Sequence, residues 1–213
     1  MNSNGRAEKN SESFALPGPH GTQTSGGFKL HAWMQLLRIG NVFTALANIL
    51  MGYLVVLSDA GTLTLSARDA WPLAGLLAAT FCLYSSGMVL NDVFDIEQDK
   101  KQRSDRPLAA GIISLRVAAW FATGLMLAGI LFASTAGMRG CLLGCAIAAA
   151  VLLYNRVLKK TPLAPLMMGM CRTLNVLLGM SYVASDQAIF CGFEKHHLLI
   201  AAGIGIFVAG LTW

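Results

Sequence analysis

Charge is scarce in this sequence. Asp, Glu, Lys and Arg make up 13% of its 213 residues, roughly half the quarter usual in soluble domains. A chain that is 55% AVILMFWYC with so few charges has no polar shell to cover its apolar surface, which excludes an ordinary globular enzyme. The same balance excludes a disordered chain and a nucleic-acid-binding module, both of which are rich in charge, so no nucleic-acid partner is expected. Cysteine is sparse, and five cysteines make no disulfide framework. Cys82, Cys141, Cys145 and Cys171 sit in apolar runs, where a thiol serves as a small hydrophobe. Cys141 and Cys145 lack an accompanying His or carboxylate, so no metal site is read there. No apolar run precedes Phe28, so no signal peptide is expected.

What the sequence does contain is a series of long uncharged runs. Residues 1–30 are rich in Ser, Gly, Asn, Thr and Pro and are expected to form a disordered tail. Beyond them, residues 39–58, 70–91 and 117–138 carry no charge. Residues 140–155 form a shorter uncharged run between Arg139 and Arg156, 161–185 hold only Arg172, and 196–213 are again uncharged. A membrane-crossing helix needs about 20 mainly apolar residues, so these are six candidate spans. All must be helices, because an open sheet cannot satisfy its backbone in lipid. The expected fold is therefore an all-α, polytopic transmembrane helix bundle over residues 31–213. Gly52, Gly75, Gly124, Gly144, Gly169 and Gly179 are suited to close helix–helix approach.

Basic residues set the orientation. Twelve lie on one side of the spans: Arg6, Lys9, Lys29, Arg38, Lys100, Lys101, Arg103, Arg106, Arg116, Arg156, Lys159 and Lys160. Only Arg68, Arg139 and Lys195 fall on the other. The N-terminus and the 91–116 and 155–161 segments are expected to be cytoplasmic.

At the cytoplasmic end of the second span the chain reads Asn91-Asp92-Val93-Phe94-Asp95-Ile96-Glu97-Gln98-Asp99, then Lys100 to Leu108. On a continuing helix, Asp92, Asp95 and Asp99 share one face, with Asn91 and Arg103 near the same stripe. Three close carboxylates repel one another unless a cation neutralises them. Hard oxygen ligands at this density suit Mg²⁺, which is usually held by one or two carboxylates plus phosphate oxygens and water. Arg103 and Arg106 are placed to grip a diphosphate, since guanidinium matches phosphate geometry. A generic topology-setting loop needs basic residues but not aligned carboxylates. The alternating acidic pattern of an EF-hand is missing.

The motif N-D-x-x-D-x-x-x-D followed by R-P-L, here Asn91, Asp92, Asp95 and Asp99 then Arg106-Pro107-Leu108, resembles the first aspartate-rich motif of the UbiA-type intramembrane prenyltransferases. Arg38-Ile39-Gly40-Asn41 is similar to the family's Arg-Pro-x-Asn start of the first span, with Ile39 in place of proline, and Tyr154 to Lys160 to the tyrosine-then-basic stretch after the fourth. The resemblance covers about residues 33–184. It implies Mg²⁺-dependent transfer of a prenyl chain from an isoprenoid diphosphate to an acceptor, often aromatic, in a bacterial inner membrane. It implies that Asp92, Asp95 and Asp99 hold Mg²⁺ against the diphosphate, that Asn91 supports a ligand, that Arg103 and Arg106 bind the leaving group, and that Asn41 faces the pocket. The gap from Asp99 to Arg106 is shorter than in quinone-pathway members. The family's bundle has about nine spans and a second aspartate-rich motif after the sixth. Beyond Asp99 the acidic residues are Asp105, Asp186 and Glu194, with no D-x-x-x-D, and the sequence ends at Trp213. The chain is therefore expected to be the N-terminal two-thirds of such a bundle. The rival expectation is a non-catalytic membrane protein that binds or carries an isoprenoid diphosphate or lipid. A transporter is disfavoured, because no acidic residue lies in the middle of a span.

Some residues keep two readings. Arg172 and Asn175, inside the fifth span, either contact diphosphate or acceptor or form a buried structural pair. Lys159 and Lys160 either cap the diphosphate pocket or anchor the fourth span to anionic lipid. Tyr154 belongs to the pocket or to an interfacial aromatic belt. His196 and His197 are expected at the outer interface, and Met167, Met168 and Met170 in helix packing.

Overall fold

The structure, a computed structural model, describes residues 25–61, 67–182 and 193–213. Asp186, Cys191 and the first 24 residues of the expected tail lie outside the described residues. Among the described residues there are eight α-helices: α1 (Ser25–Leu37), α2 (Ile39–Asp59), α3 (Ala67–Phe94), α4 (Ile96–Gln102), α5 (Leu115–Ala133), α6 (Gly137–Arg156), α7 (Ala164–Met180) and α8 (Lys195–Thr212). α2, α3, α5, α6, α7 and α8 correspond to the six expected spans. The stretches Ile39–Asp59, Ala70–Phe94, Leu115–Arg156 and Lys195–Thr212 have the length and hydropathy to cross a membrane. The third of these holds both α5 and α6. The chain is an integral membrane protein of all-α fold.

Helix α1 precedes the first span. It begins at Ser25, inside the stretch expected to be a tail. Its Ala32 and Leu36, one turn apart, are buried, and Trp33 packs edge-on against Phe121 of α5 with ring centroids 4.7 Å apart. This small apolar face suffices to dock a short amphipathic helix on the bundle.

α3 sits at the centre, with 61% of its apolar window buried against 33% or less for the other candidate spans. It packs against α2, α5 and α6, and α7 packs against α2, α6 and α8. α5 and α6 form an antiparallel hairpin around Gly137, whose φ of 79° turns the chain. The hairpin closes so tightly that a Cβ on Gly144 would lie 2.9 Å from the Ala133 Cβ. Gly52 and Gly179 bring α2 and α7 into backbone contact, through Val176 O and Ile49 O, and Gly169 meets Gly205 O of α8. Gly124 is the exception among the expected contact glycines, since nothing lies within 4 Å of its Cβ position.

Polar side chains tie the interior together. Thr80 of α3 donates to Asn175 Oδ1 at 2.8 Å, and Asn175 Nδ2 donates to the Ala45 carbonyl of α2 at 2.8 Å. Ser86 donates to the Ala122 carbonyl of α5 at 2.7 Å. In an apolar setting such bonds fix helix rotation. Asn175 thus has the structural role among its two readings, although it also borders a cavity. Met168 borders the same cavity and Met170 is exposed, so these two methionines are not interior packing.

Candidate functional site at the basic end of the bundle

The helix carrying the acidic stripe bends in its middle. α3 ends at Phe94, Asp95 takes φ −92° and ψ 3°, and α4 follows. Backbone bonds Asp95 N–Asn91 O and Asp99 N–Asp95 O carry the helical register across the bend. The stripe therefore survives, but its carboxylates face two ways. Asp92 and Asp99, each 5% exposed, turn to one side, and Asp95 turns to the other.

Each carboxylate has a cation. Arg106 Nη1 donates to Asp92 Oδ1 at 3.1 Å and to Asp99 Oδ2 at 2.7 Å. Arg38 Nη2 donates to Asp92 Oδ1 at 3.0 Å. Lys159 Nζ bonds Asp95 Oδ2 and donates to Asn91 Oδ1 at 2.6 Å. Charges so poorly hydrated persist only when paired in this way.

These cations come from three separate segments. Arg38 links α1 to α2 in the left-handed conformation, φ 48°, which few non-glycine residues adopt. That turn aims its guanidinium at Asp92. Arg106 precedes a tight loop in which Pro107 O accepts from Ile112 and Ile113, and Leu108 and Ile113 are buried. Lys159 lies in a 3₁₀ turn after α6 (Leu158–Lys160), so it points into the cluster rather than at lipid.

Two residues lie elsewhere than expected. Arg103 is exposed; its backbone, φ −146° and ψ 57°, ends α4 and turns the chain away. Arg38 stands against the carboxylates instead. The sequence held a sign of this, since Arg38 opens the Arg-x-x-Asn segment. Asn41 is exposed on the first turn of α2 and is not among the described residues lining either cavity below.

Two cavities flank the cluster, one reaching it at Asn91 and the other at Asp92, Arg38 and Arg106. A polar one of about 220 Å³ is lined by Gln35, Arg38, Asp92, Asp105, Arg106 and Pro107. A mainly apolar one of about 270 Å³ runs into the bundle from Asn91, past Tyr84, Tyr154, Asn155 and Arg172. Tyr154 is thus a cavity residue. Arg172 Nη2 donates to Thr44 Oγ1 at 3.1 Å and its guanidinium stacks 5.7 Å from the Tyr84 ring.

A second polar cluster lies at the opposite end. Asp59 Oδ2 is 2.6 Å from His196 Nε2 and 2.7 Å from His197 Nε2. It joins the end of α2 to the start of α8. Its ligand atoms are close enough for a metal ion, but the Glu194 N–H donates to His197 Nδ1 at 3.1 Å. The proton of a neutral His197 is therefore on Nε2, which leaves no lone pair for a metal there. The cluster is a hydrogen-bonded tie. His196 and His197 do lie at the end of the bundle away from the acidic stripe, as expected, but engaged with Asp59.

The sequence model of the UbiA prenyltransferase family matches residues 39–213. A digeranylgeranylglyceryl phosphate synthase from Methanococcoides burtonii is 31% identical over 137 residues, covering 62% of this chain and 48% of that protein. One from Methanoculleus marisnigri is 38% identical over 133 residues, 62% of this chain and 44% of that protein. The chain thus spans about half the length of the curated relatives it matches. A solved structure described as giving structural and mechanistic insights into digeranylgeranylglyceryl phosphate synthase in membranes superposes with TM-score 0.70 at 23% identity, over 86% of this chain and 61% of that one. The apo structure of a UbiA homologue from Aeropyrum pernix gives 0.64 at 21% identity, over 82% and 62%. At those identities the superpositions establish the fold.

Proposed function

The chain belongs to the UbiA prenyltransferase family, and on that premise we propose that it transfers a prenyl group from an isoprenoid diphosphate to an acceptor inside the membrane. The observation that carries the reading is the convergence of three carboxylates and three basic side chains from separate segments, joined to the apolar cavity through Asn91, which lines it and accepts from Lys159.

The chemistry follows from charge. Asp92, Asp95 and Asp99 are already balanced by Arg38, Arg106 and Lys159, so the cluster has little net charge to offer a diphosphate. Hard oxygen donors suit Mg²⁺, for which one or two carboxylates suffice beside phosphate oxygens; Asp92 and Asp99, which meet at Arg106, would hold it from one side and Asp95 from the other. Bound there, Mg²⁺ would neutralise diphosphate oxygens and make the diphosphate a better leaving group. Arg38, Arg106 and Lys159, released from carboxylates, bind the departing oxygens, and Asn91 steadies Lys159. The allylic C1–O bond breaks with its electron pair leaving on diphosphate. The apolar cavity keeps water from the resulting carbocation until the acceptor attacks C1 and gives up its proton. Arg103 and Asn41, both exposed, are not assigned to this chemistry.

The proposed orientation places this cluster, the acidic mouth of the bundle, at the cytoplasmic face, with the region before α1 as a cytoplasmic extension, on the strength of the asymmetry of basic residues. The curated relatives named above are archaeal, so the setting proposed is the cytoplasmic membrane of a prokaryote rather than a bacterial one in particular. Those relatives' names make a glyceryl phosphate lipid an acceptor to try beside aromatic ones.

The test is transfer of a labelled prenyl diphosphate in membranes holding the protein, with and without chelator. Asp92→Asn and Asp95→Asn are expected to lower transfer about a hundredfold or more, as is removal of Mg²⁺. Transfer that survives both would overturn the reading. Binding without transfer in the wild type would favour a carrier.

A further inference from the structure

Among the described residues, Arg172 is a cation without a counter-ion. It lies midway along α7, and its Nη1 is buried with no hydrogen-bond partner. A buried guanidinium N–H left unpaired is costly. Its other contacts are neutral: Thr44 Oγ1 and the Tyr84 ring. The cavity it lines contains no carboxylate among the described residues. Asp92, Asp95 and Asp99 are taken up by Arg38, Arg106 and Lys159, Glu97 pairs with Lys100, and Asp105 lines the separate polar cavity. Asn155 lines the same cavity, and its Oδ1 is buried without a partner while its Nδ2 donates to Val151 O and Gly87 O. The cavity thus presents one unpaired cationic donor and one unpaired neutral acceptor, set apart from the acidic mouth.

We propose that Arg172 is the counter-ion for an anionic headgroup of the acceptor, a phosphate or a carboxylate, bound in the cavity beside the prenyl chain. Asn155 Oδ1 accepts from a hydroxyl on the same headgroup. This makes Arg172 a determinant of acceptor class, distinct from the cations that hold the leaving group. The proposal rests on the prenyl-transfer reading, and its test separates the two.

Binding is measured on the protein in zwitterionic nanodiscs with Mg²⁺ and a non-reactive prenyl thiodiphosphate. Two pairs of probes are titrated: a mono-prenyl glyceryl phosphate ether against its phosphate-free alcohol, and 4-hydroxybenzoate against phenol. The wild type is expected to prefer the anionic member of at least one pair by about tenfold or more, the worth of a charge-assisted hydrogen bond. The pair that shows the preference identifies phosphate or carboxylate as the source. Arg172→Gln is expected to abolish the preference and Arg172→Lys to keep part of it, while thiodiphosphate affinity stays within about threefold. Equal affinity within both pairs in the wild type overturns the proposal, and so does a preference that survives Arg172→Gln or a loss that falls on the thiodiphosphate. The wild-type comparison decides even where a variant does not fold. Failure of the thiodiphosphate to bind the wild type is read separately and strikes the transfer reading itself.

Discussion

Arg106 bridges Asp92 and Asp99 through a single nitrogen. Arg106→Gln leaves two poorly hydrated carboxylates facing each other, with only Arg38 to compensate. Removing one partner of such a cluster costs about 3–5 kcal/mol, so this variant is expected to melt well below the wild type in detergent. Arg103→Gln, at an exposed position, is expected to melt with the wild type. The pair of variants separates the two arginines that the sequence alone treats as equals. The acidic stripe itself is legible in the sequence, because its contacts lie within one helical stretch. Arg38 against Asp92 joins positions 54 apart, and Lys159 against Asp95 joins positions 64 apart. No local spacing encodes such contacts; they depend on where the helices cross. The same holds for Arg172, whose lack of a counter-ion among the described residues is a property of the assembled cavity.

At the scale of the element, gaps between charges give the spans, since charge is what lipid excludes. They do not give α1 or the bend at Asp95, where short apolar faces and local backbone geometry decide. Nor do they tell a packing glycine from an idle one. Gly179 stands against the Ile49 backbone, whereas Gly124 meets nothing. Gly179→Val is expected to push α2 and α7 apart and to lower stability by about 1–3 kcal/mol. Gly124→Ala is expected to raise stability by up to about 1 kcal/mol through helix propensity. Thermal unfolding followed by circular dichroism reads both. At the far end, His197→Ala removes both the bond to Asp59 and the cap from the Glu194 N–H. It is expected to loosen α8 and lower the melting temperature while leaving diphosphate binding at the opposite end unchanged, as titration with thiodiphosphate will show.

For the molecule as a whole, alternation of the helices sorts chemistry by end. The starts of α2, α5 and α7 and the ends of α3, α6 and α8 gather at the acidic mouth, and the Asp59–histidine tie closes the other. A cysteine placed at Ser104, beside that mouth, is expected to react with a membrane-impermeant maleimide in inverted vesicles and not in intact cells. The reverse pattern contradicts the proposed orientation. Prenyl transfer by this bundle depends on the acidic mouth taking up a metal–diphosphate. Calorimetric titration of the protein in nanodiscs with prenyl thiodiphosphate addresses this directly. Binding is expected only when Mg²⁺ is present, and is expected to vanish in the Asp92→Asn, Asp95→Asn double variant. Heat of binding that is the same without Mg²⁺, or unchanged in that variant, contradicts it.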